Sequence, residues 1–295
     1  MVLEGIQSED LCKIRSDSGG KKTSGVEEEG ALAEVYGKKY RIRLDHPILT
    51  ENGVFYPEGL YSNLMFQITL APASEVVKGS DTSKLTYKLK NIQREYETIN
   101  SSSLADETLS VYNSGKSIPY EYVYHPNYKD IAKDTDNHII IKVDTQRLSL
   151  KAIILLFEDP YTPGARDSEK FVFPDITKVK VSVNGRPNMV YDSGLEARDL
   201  WEQAYRFFGK EKGKTQNMDM KKFYTGNKFG LVIDMRTTRD QTMHGSGKRI
   251  VGSNEGVQLE IERKTEGSEK MKCHIYVVSD AQFDIMGRAY SDHTN

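Results

Sequence analysis

Along most of this chain apolar and polar residues alternate with a period of two, and only a few stretches switch to the 3.6-residue period of a helix. In "KKYRIRLD" Tyr40, Ile42 and Leu44 share one face, with Arg41 and Arg43 on the other; in "LMFQITLA" Leu64, Phe66, Ile68 and Leu70 share a face. A third strand is expected through "KLTYKLKNIQREYETI". Its apolar phase slips from Leu85, Tyr87 and Leu89 to Ile92 and Tyr96, as a β-bulge would make it. Eight more strands are expected in "IPYEYVYH", "HIIIKVDTQRL", "KAIILLF", "ITKVKVSVNG", "PNMVYDSG", "KFGLVIDM", "GVQLEIER" and "KCHIYVVSDAQF". Val179, Val181 and Val183 alternate with Lys178, Lys180 and Ser182, the mark of a half-exposed strand. Asn184-Gly185 then signals a tight turn, and Pro187 cannot sit in a central strand.

Three helices punctuate the strands. Ser24 opens a capping box with Glu27 ahead of "EEEGALAEVY", which Gly37 closes. Ser103 and Asp106 form the capping pair of "SSLADETLSVYNSG", closed by Gly115. From Leu195 to Phe208 the stripe Leu200, Trp201, Ala204, Tyr205 and Phe208 fits one buried helical face. Eight strands after residue 115, joined by long connections and one inserted helix, predict an all-β sandwich of the jelly-roll kind. The long loops after residues 126, 158 and 209 are expected to project outward.

The pattern also repeats. Ser24 aligned on Ser193, an offset of 169, matches Ser and Gly, then Glu27 with Glu196 and Tyr36 with Tyr205. The second copy inserts "RFFGKEKGKTQNMDMKKFYT", and the offset becomes 189. There Gly37 meets Gly226, Lys39 meets Lys228, Tyr40 meets Phe229, Ile42 meets Leu231, Leu44 meets Ile233 and Asp45 meets Asp234. The same offset carries Tyr87 to Tyr276 and Gln93 to Gln282. Helix and strands in one order, with one offset returning, indicate an internal duplication whose first copy holds only a helix and about three closing strands. The expected organisation is a lead-in over 1–23, the end of a first jelly roll over 24–99, a connecting helix over 100–117 and a complete jelly roll over 118–290.

Composition narrows the function. A chain of 295 residues with 37% hydrophobic and 28% charged residues is globular, with room for one large or two ordinary domains. A net charge of -2 argues against direct coating of nucleic acid by charge. Cys12 and Cys273 cannot build a disulfide framework or a metal-ligand spacing and read as inert thiols. The longest apolar run, "AIILLF", suits one buried strand and is far short of a membrane span. The acidic residues near the start break up any signal-peptide core, so an intracellular protein is expected.

Candidate chemistry fails on spacing. In "HGSGKRIVG" the position five before Gly247 is Thr242 and Lys248 is followed by Arg249, so the phosphate-binding loop pattern is absent. His46, His125, His138, His244, His274 and His293 include no pair two or four apart, which a metal-holding jelly-roll enzyme of the cupin kind would use. "GSG" at 245–247 is not a nucleophile elbow. Charge pairs in "ARDSEK" and "KDTDN" read as solvated loops, and the Asn100 sequon has no secretory context. "PYEYVYHPNY" could stack on sugars or bases, but alternating tyrosines more often pack across strands. No catalytic, cofactor-binding or metal residue is assigned, and no cofactor and no enzyme activity are expected.

"LLFEDPYTPGARDSEKFVFPDITKVKVSVNGRPNMVYDSG", the Trp201 helix and "DMRTTRDQTMHGSGKRI" resemble the double jelly-roll major capsid proteins of Polinton/Maverick elements and adintovirus-like viruses, over roughly residues 24–290. The resemblance implies a structural virion protein that self-associates into pseudo-hexameric trimers of an icosahedral shell. It also implies that most of the first jelly roll is absent here, as in an N-terminally truncated or genome-integrated fragment. The partners implied are the chain itself and other capsid proteins such as a penton protein, with no direct nucleic acid and no membrane span. The location implied is the virion, otherwise the cytoplasm or nucleus. A β-sandwich ligand-binding module, lectin-like, stays open as the alternative, to be sought on a glycan array; a cupin-type enzyme would carry metal.

Overall fold

The computed structural model of the chain describes residues 56–61, 69, 72, 99–131, 137–160, 170–188, 191, 193–208, 219–237, 245–251, 256–264, 270–287 and 289–293. Apart from the short stretch at 56–61, the expected elements before residue 99, and with them the first copy of the repeat, lie outside the described residues.

The strands are β1 (Lys116–Ile131), β2 (His138–Val143), β3 (Arg147–Glu158), β4 (Ile176–Val183), β5 (Arg186–Pro187), β6 (Leu195–Glu196), β7 (Leu231–Asp234), β8 (Lys248–Ile250), β9 (Val257–Arg263), β10 (Met271–Met286) and β11 (Ala289–His293). Helices α1 (Ser102–Ser114), α2 (Ala197–Phe208) and α3 (Met220–Thr225) complete the described elements, with a short 3-10 turn at Pro57–Gly59. One sheet runs β1-β10-β3-β7, with β8 on β3 and β11 on β10; the other runs β2-β9-β4-β5, with β6 on β4.

The pairing is nested. β1 pairs β10, β2 pairs β9, β3 pairs β7 and β8, and β4 pairs β5 and β6, all antiparallel. That is one long antiparallel ribbon folded at β4–β5. The cross-pairs β10–β3 and β9–β4 roll it into two facing sheets. This is a jelly roll, as the alternation predicted.

Alternation explains the core. In β2 Ile139, Ile141 and Val143 point inward and Ile140 outward; in β4 Val179, Val181 and Val183 do the same. They meet Leu259 and Ile261 of β9 and, from the other sheet, Ile153, Leu155, Phe157, Ile275 and Val277. Each such side chain contributes about 1.5–3 kcal/mol on leaving water. Asn184 and Gly185, at φ 53° and 71°, close the β4–β5 turn in the left-handed region that the Asn-Gly pair favours.

Several expectations shift. The cap of α1 is Ser101, not Ser103. Ser101 has the extended backbone (φ -148°, ψ 116°) an N-cap requires and accepts the Leu104 N–H at 3.4 Å, whereas Ser103 is already inside the helix. β1 continues to Ile131 through a bulge between Tyr124 and Asn127, so no loop begins at 126. The loops expected after 158 and 209 fall largely outside the described residues. "HIIIKVDTQRL" is broken at 144–146. Among the described residues of "PNMVYDSG" only Pro187 is in a strand, at the sheet edge beside Arg186, and Leu195–Glu196 later takes up pairing with β4. Helix α2 starts at Ala197 because Leu195 and Glu196 belong to that edge strand. β8, β11 and α3 were not anticipated.

A second core lies beyond the sandwich. β1 and β10 run past the end of the other sheet. There Ile118, Tyr120, Ala281, Phe283 and Ile285 pack with Tyr112 of α1 and Leu60. The Tyr112 hydroxyl accepts the Tyr56 N–H at 3.1 Å, tying the 56–61 segment to α1. Tyr112 is 1% exposed, and burial raises its phenol pKa.

Candidate functional site

Three features outside the two cores could carry function: a buried charge cluster, an aromatic edge and the face of α2. The charge cluster arises from a register shift. Val278 pairs Ala152 but Ser279 pairs Leu150, so Lys151 is the extra residue of a bulge in β3. Its ammonium lies 2.8 Å from Asp280 Oδ1 and 2.7 Å from Glu121 Oε1, with Lys151 and Asp280 buried. Burial pushes the Lys151 pKa down, but the two carboxylates outweigh it, and the net shift is upward. The "HGSGKRIVG" segment packs here. Gly245 N–H donates to Asp280 Oδ2 at 2.9 Å, and Gly247 N–H donates to the Ser149 hydroxyl at 2.9 Å, which itself donates to Asp280 Oδ2 at 2.5 Å. Of the two N–H groups, that of Gly245 faces the Asp280 carboxylate directly and that of Gly247 faces the Ser149 hydroxyl, which passes the contact on to the same carboxylate. Gly245–Gly247 thus form a turn beside the buried ion pair, leading into β8. Gly247 allows the approach: a Cβ there would sit 2.6 Å from the Ser149 and Leu150 backbone.

On the same sheet His274 Nε2 lies 2.8 Å from Glu158 Oε2, and the His125 ring stands 5.6 Å from His274 and 4.6 Å from Tyr276. Among the described residues no three His, Cys, Asp or Glu side chains converge as a metal set. His138 and His293 lie elsewhere, His293 beside Asp284 at 3.5 Å. His46, His244 and Cys12 lie outside the described residues. Cys273 is buried in the sandwich core, where burial pushes its thiol up to about 12. No described helix is long and apolar enough to cross a membrane.

The tyrosine-rich strand is β1, and its rings divide between two jobs. Tyr120 enters the second core and donates its hydroxyl to Asp292 at 2.5 Å. Tyr122 and Tyr124 stack on each other at 6.3 Å, and the Arg147 guanidinium reaches across β10 to lie 5.8 and 5.7 Å from their centroids. Ser279, opposite Tyr122, is small enough to let it pass. The rings pack across the sheet, with Tyr124 still 42% exposed. β1 is also the end strand of its sheet, with no further strand beside it among the described residues.

Helix α2 only partly buries its stripe. Leu200 and Ala204 are buried, but Tyr205 is 48% exposed and stacks on the half-buried Trp201 at 5.2 Å. The amphipathic period identified the helix, yet the expected buried face is an aromatic pair open on one side. Below it Phe173, Phe223, Tyr224 and Phe229 form a ring cluster, and the Tyr224 hydroxyl donates to the Ala197 carbonyl. A shallow cleft of about 310 Å³ lies alongside, lined by Phe173, Asp175, Ile176, Thr177, Glu196 and Lys264 among others.

No protein-family model matches the chain, and no curated protein matches it in sequence. Among solved structures it is similar to the PBCV-1 virus capsid, at 10% identity over 61% of this chain and 52% of that one, with a TM-score of 0.43. It is similar to a PBCV-1 protein fitted into the virophage Sputnik, at 10% identity over 66% and 55%, TM-score 0.45. A third is the mavirus major capsid protein, at 10% identity over 60% and 41%, TM-score 0.35. The chain spans about half the length of these proteins, or less.

Proposed function

We propose that the chain is a major capsid subunit, or a genome-integrated fragment of one, that acts by self-association into pseudo-hexameric trimers of an icosahedral shell. The observation that carries the reading is the second core. The β1–β10 ribbon leaves the jelly roll and meets α1 and the Tyr56–Leu60 segment, so the sandwich is built to be joined to the chain before it. A free-standing ligand-binding sandwich has no use for such a junction. The repeat in the sequence supports a sister sandwich on the other side of it, with residues 24–99 as that sandwich's closing elements. Two similar sandwiches in one chain, three times around a threefold axis, make a nearly six-sided tile.

In this reading the end strand β1 and the Trp201–Tyr205 face of α2 contact neighbouring copies, a penton protein fills the fivefold positions, and the protein resides in the virion. The near-neutral charge leaves genome binding to a separate basic protein. Catalysis has no part in it. The test is the mass of the purified chain by light scattering, with Tyr205→Glu as the interface variant. Three chains per particle, reduced to one by the variant, is the expected result. A monodisperse monomer at every concentration overturns the proposal.

A further inference from the structure

Lys151, Asp280 and Glu121 sit in an arrangement that can do more than pair charges. The Lys151 nitrogen touches one oxygen of each carboxylate, at 2.8 and 2.7 Å, and the Lys151 and Asp280 side chains are 4% and 3% exposed. The far oxygen of Asp280 receives the Ser149 hydroxyl and the Gly245 N–H. We propose that Lys151 and Asp280 condense without any other enzyme into an amide that cross-links β3 to β10.

The step needs no co-reactant. An ammonium beside a carboxylate is one proton transfer away from an amine beside a carboxylic acid. Burial favours that neutral pair, while the two carboxylates hold Lys151 mainly as the ammonium, so the free amine forms only as a minor species through the contact with Glu121. Glu121 takes the proton from Lys151 Nζ and returns it to Asp280 Oδ1. The freed Nζ lone pair attacks Cγ, and negative charge grows on Oδ2, where the Ser149 and Gly245 donors already point. The Cγ–Oδ1 bond then breaks, and Oδ1 leaves as water. The three ammonium protons are accounted for: one stays on the amide nitrogen and two leave with the water. Glu121, 56% exposed, opens the cluster to solvent and gives that water a way out. Well-oriented intramolecular pairs reach effective concentrations of about 10⁵ M or more, a rate advantage that would speed a condensation negligibly slow in free solution. The product also removes a buried ion pair whose desolvation is costly.

The test is the intact mass and tryptic map of the soluble full chain. The expected mass is one water below that of the sequence. Trypsin is expected to leave the Lys151–Ala152 bond uncut and to release residues 148–166 joined to residues 273–288. Glu121→Gln, which keeps the Lys151–Asp280 contact but cannot carry the proton, is expected to show the full mass in a chain with native circular dichroism. Lys151→Arg is expected to do likewise. A folded chain of unshifted mass overturns the proposal, and so does a water lost elsewhere with Lys151 still cleaved. Should a variant fail to fold, the wild-type mass and map decide alone.

Discussion

Phe229→Ala tests whether one core holds both the sandwich and the α2–α3 excursion inserted between β6 and β7. Phe229 is 1% exposed, and its ring meets Phe173 at 4.9 Å, Phe223 at 5.0 Å, Tyr224 at 6.0 Å and Phe157 at 6.1 Å. Phe157 belongs to β3, Phe223 and Tyr224 to α3, and Phe173 to the segment before β4, so this one ring bridges excursion and sheet. Removing a buried phenyl costs about 3–5 kcal/mol, of which each lost ring pair contributes about 0.5–1.5 kcal/mol. Against a whole-domain stability of about 5–15 kcal/mol that is a large fraction. With a urea slope of about 1–3 kcal/mol per molar, the midpoint should fall by more than 1 M. Trp201, the single tryptophan, lies on α2 and reports the excursion by fluorescence; far-UV circular dichroism reports the sheets. Both transitions are expected to move down together. A loss below about 1 kcal/mol, or a Trp201 transition that precedes the sheet transition, would refute the shared core.

Three further outcomes follow from local chemistry. In a Cys12→Ser background Cys273 should resist a thiol reagent at pH 8 and react once per chain in denaturant; rapid native labelling would contradict its burial. The folded thiol is raised from 9.0 to about 12, so its contribution to stability is complete below pH 9 and is lost as pH rises through about 12. A urea series over that range should therefore show a steeper decline for Cys273 than for Cys273→Ala. Gly185→Ala adds a Cβ that meets nothing within 4 Å but sits at φ 71°, so the cost is backbone strain alone, about 1–2 kcal/mol by urea denaturation. No change there would place the turn in another conformation.

Much of the sandwich was legible because a strand with one buried face writes a period of two into its sequence. Val179, Val181 and Val183 announced β4, and Asn184-Gly185 its turn. What escaped was decided by partners rather than by pattern. β5 and β6 are two residues each, too short for a period to show, and exist only because β4 offers its edge. Ser101 and Ser103 are equal candidates as caps until the backbone conformation separates them. The buried cluster had no local signal at all. Lys151 looks like a solvated strand lysine, and only the bulge in β3, set by the register against β10, brings it to Asp280 and Glu121 from positions far apart in the chain.

If the chain is the shell subunit proposed above, the same bulge bears on how a load would cross it. β10 is 16 residues long and serves two cores, with Cys273, Ile275 and Val277 in the sandwich and Ala281, Phe283 and Ile285 in the junction. A slip of one residue would turn both sets outward together, so the register of this single strand holds both cores in place. It is fixed on each side. Against β1 the shift between Tyr124 and Asn127 pins it, and against β3 the shift at Lys151 does, with the ion pair seated at that point. A ligand-binding sandwich can tolerate play between its body and the chain before it. A shell subunit that transmits force between neighbours cannot, because a slip at the junction would move the whole sandwich. The buried lysine therefore sits at the register shift where a lock, ionic or covalent, would hold β10 against β3.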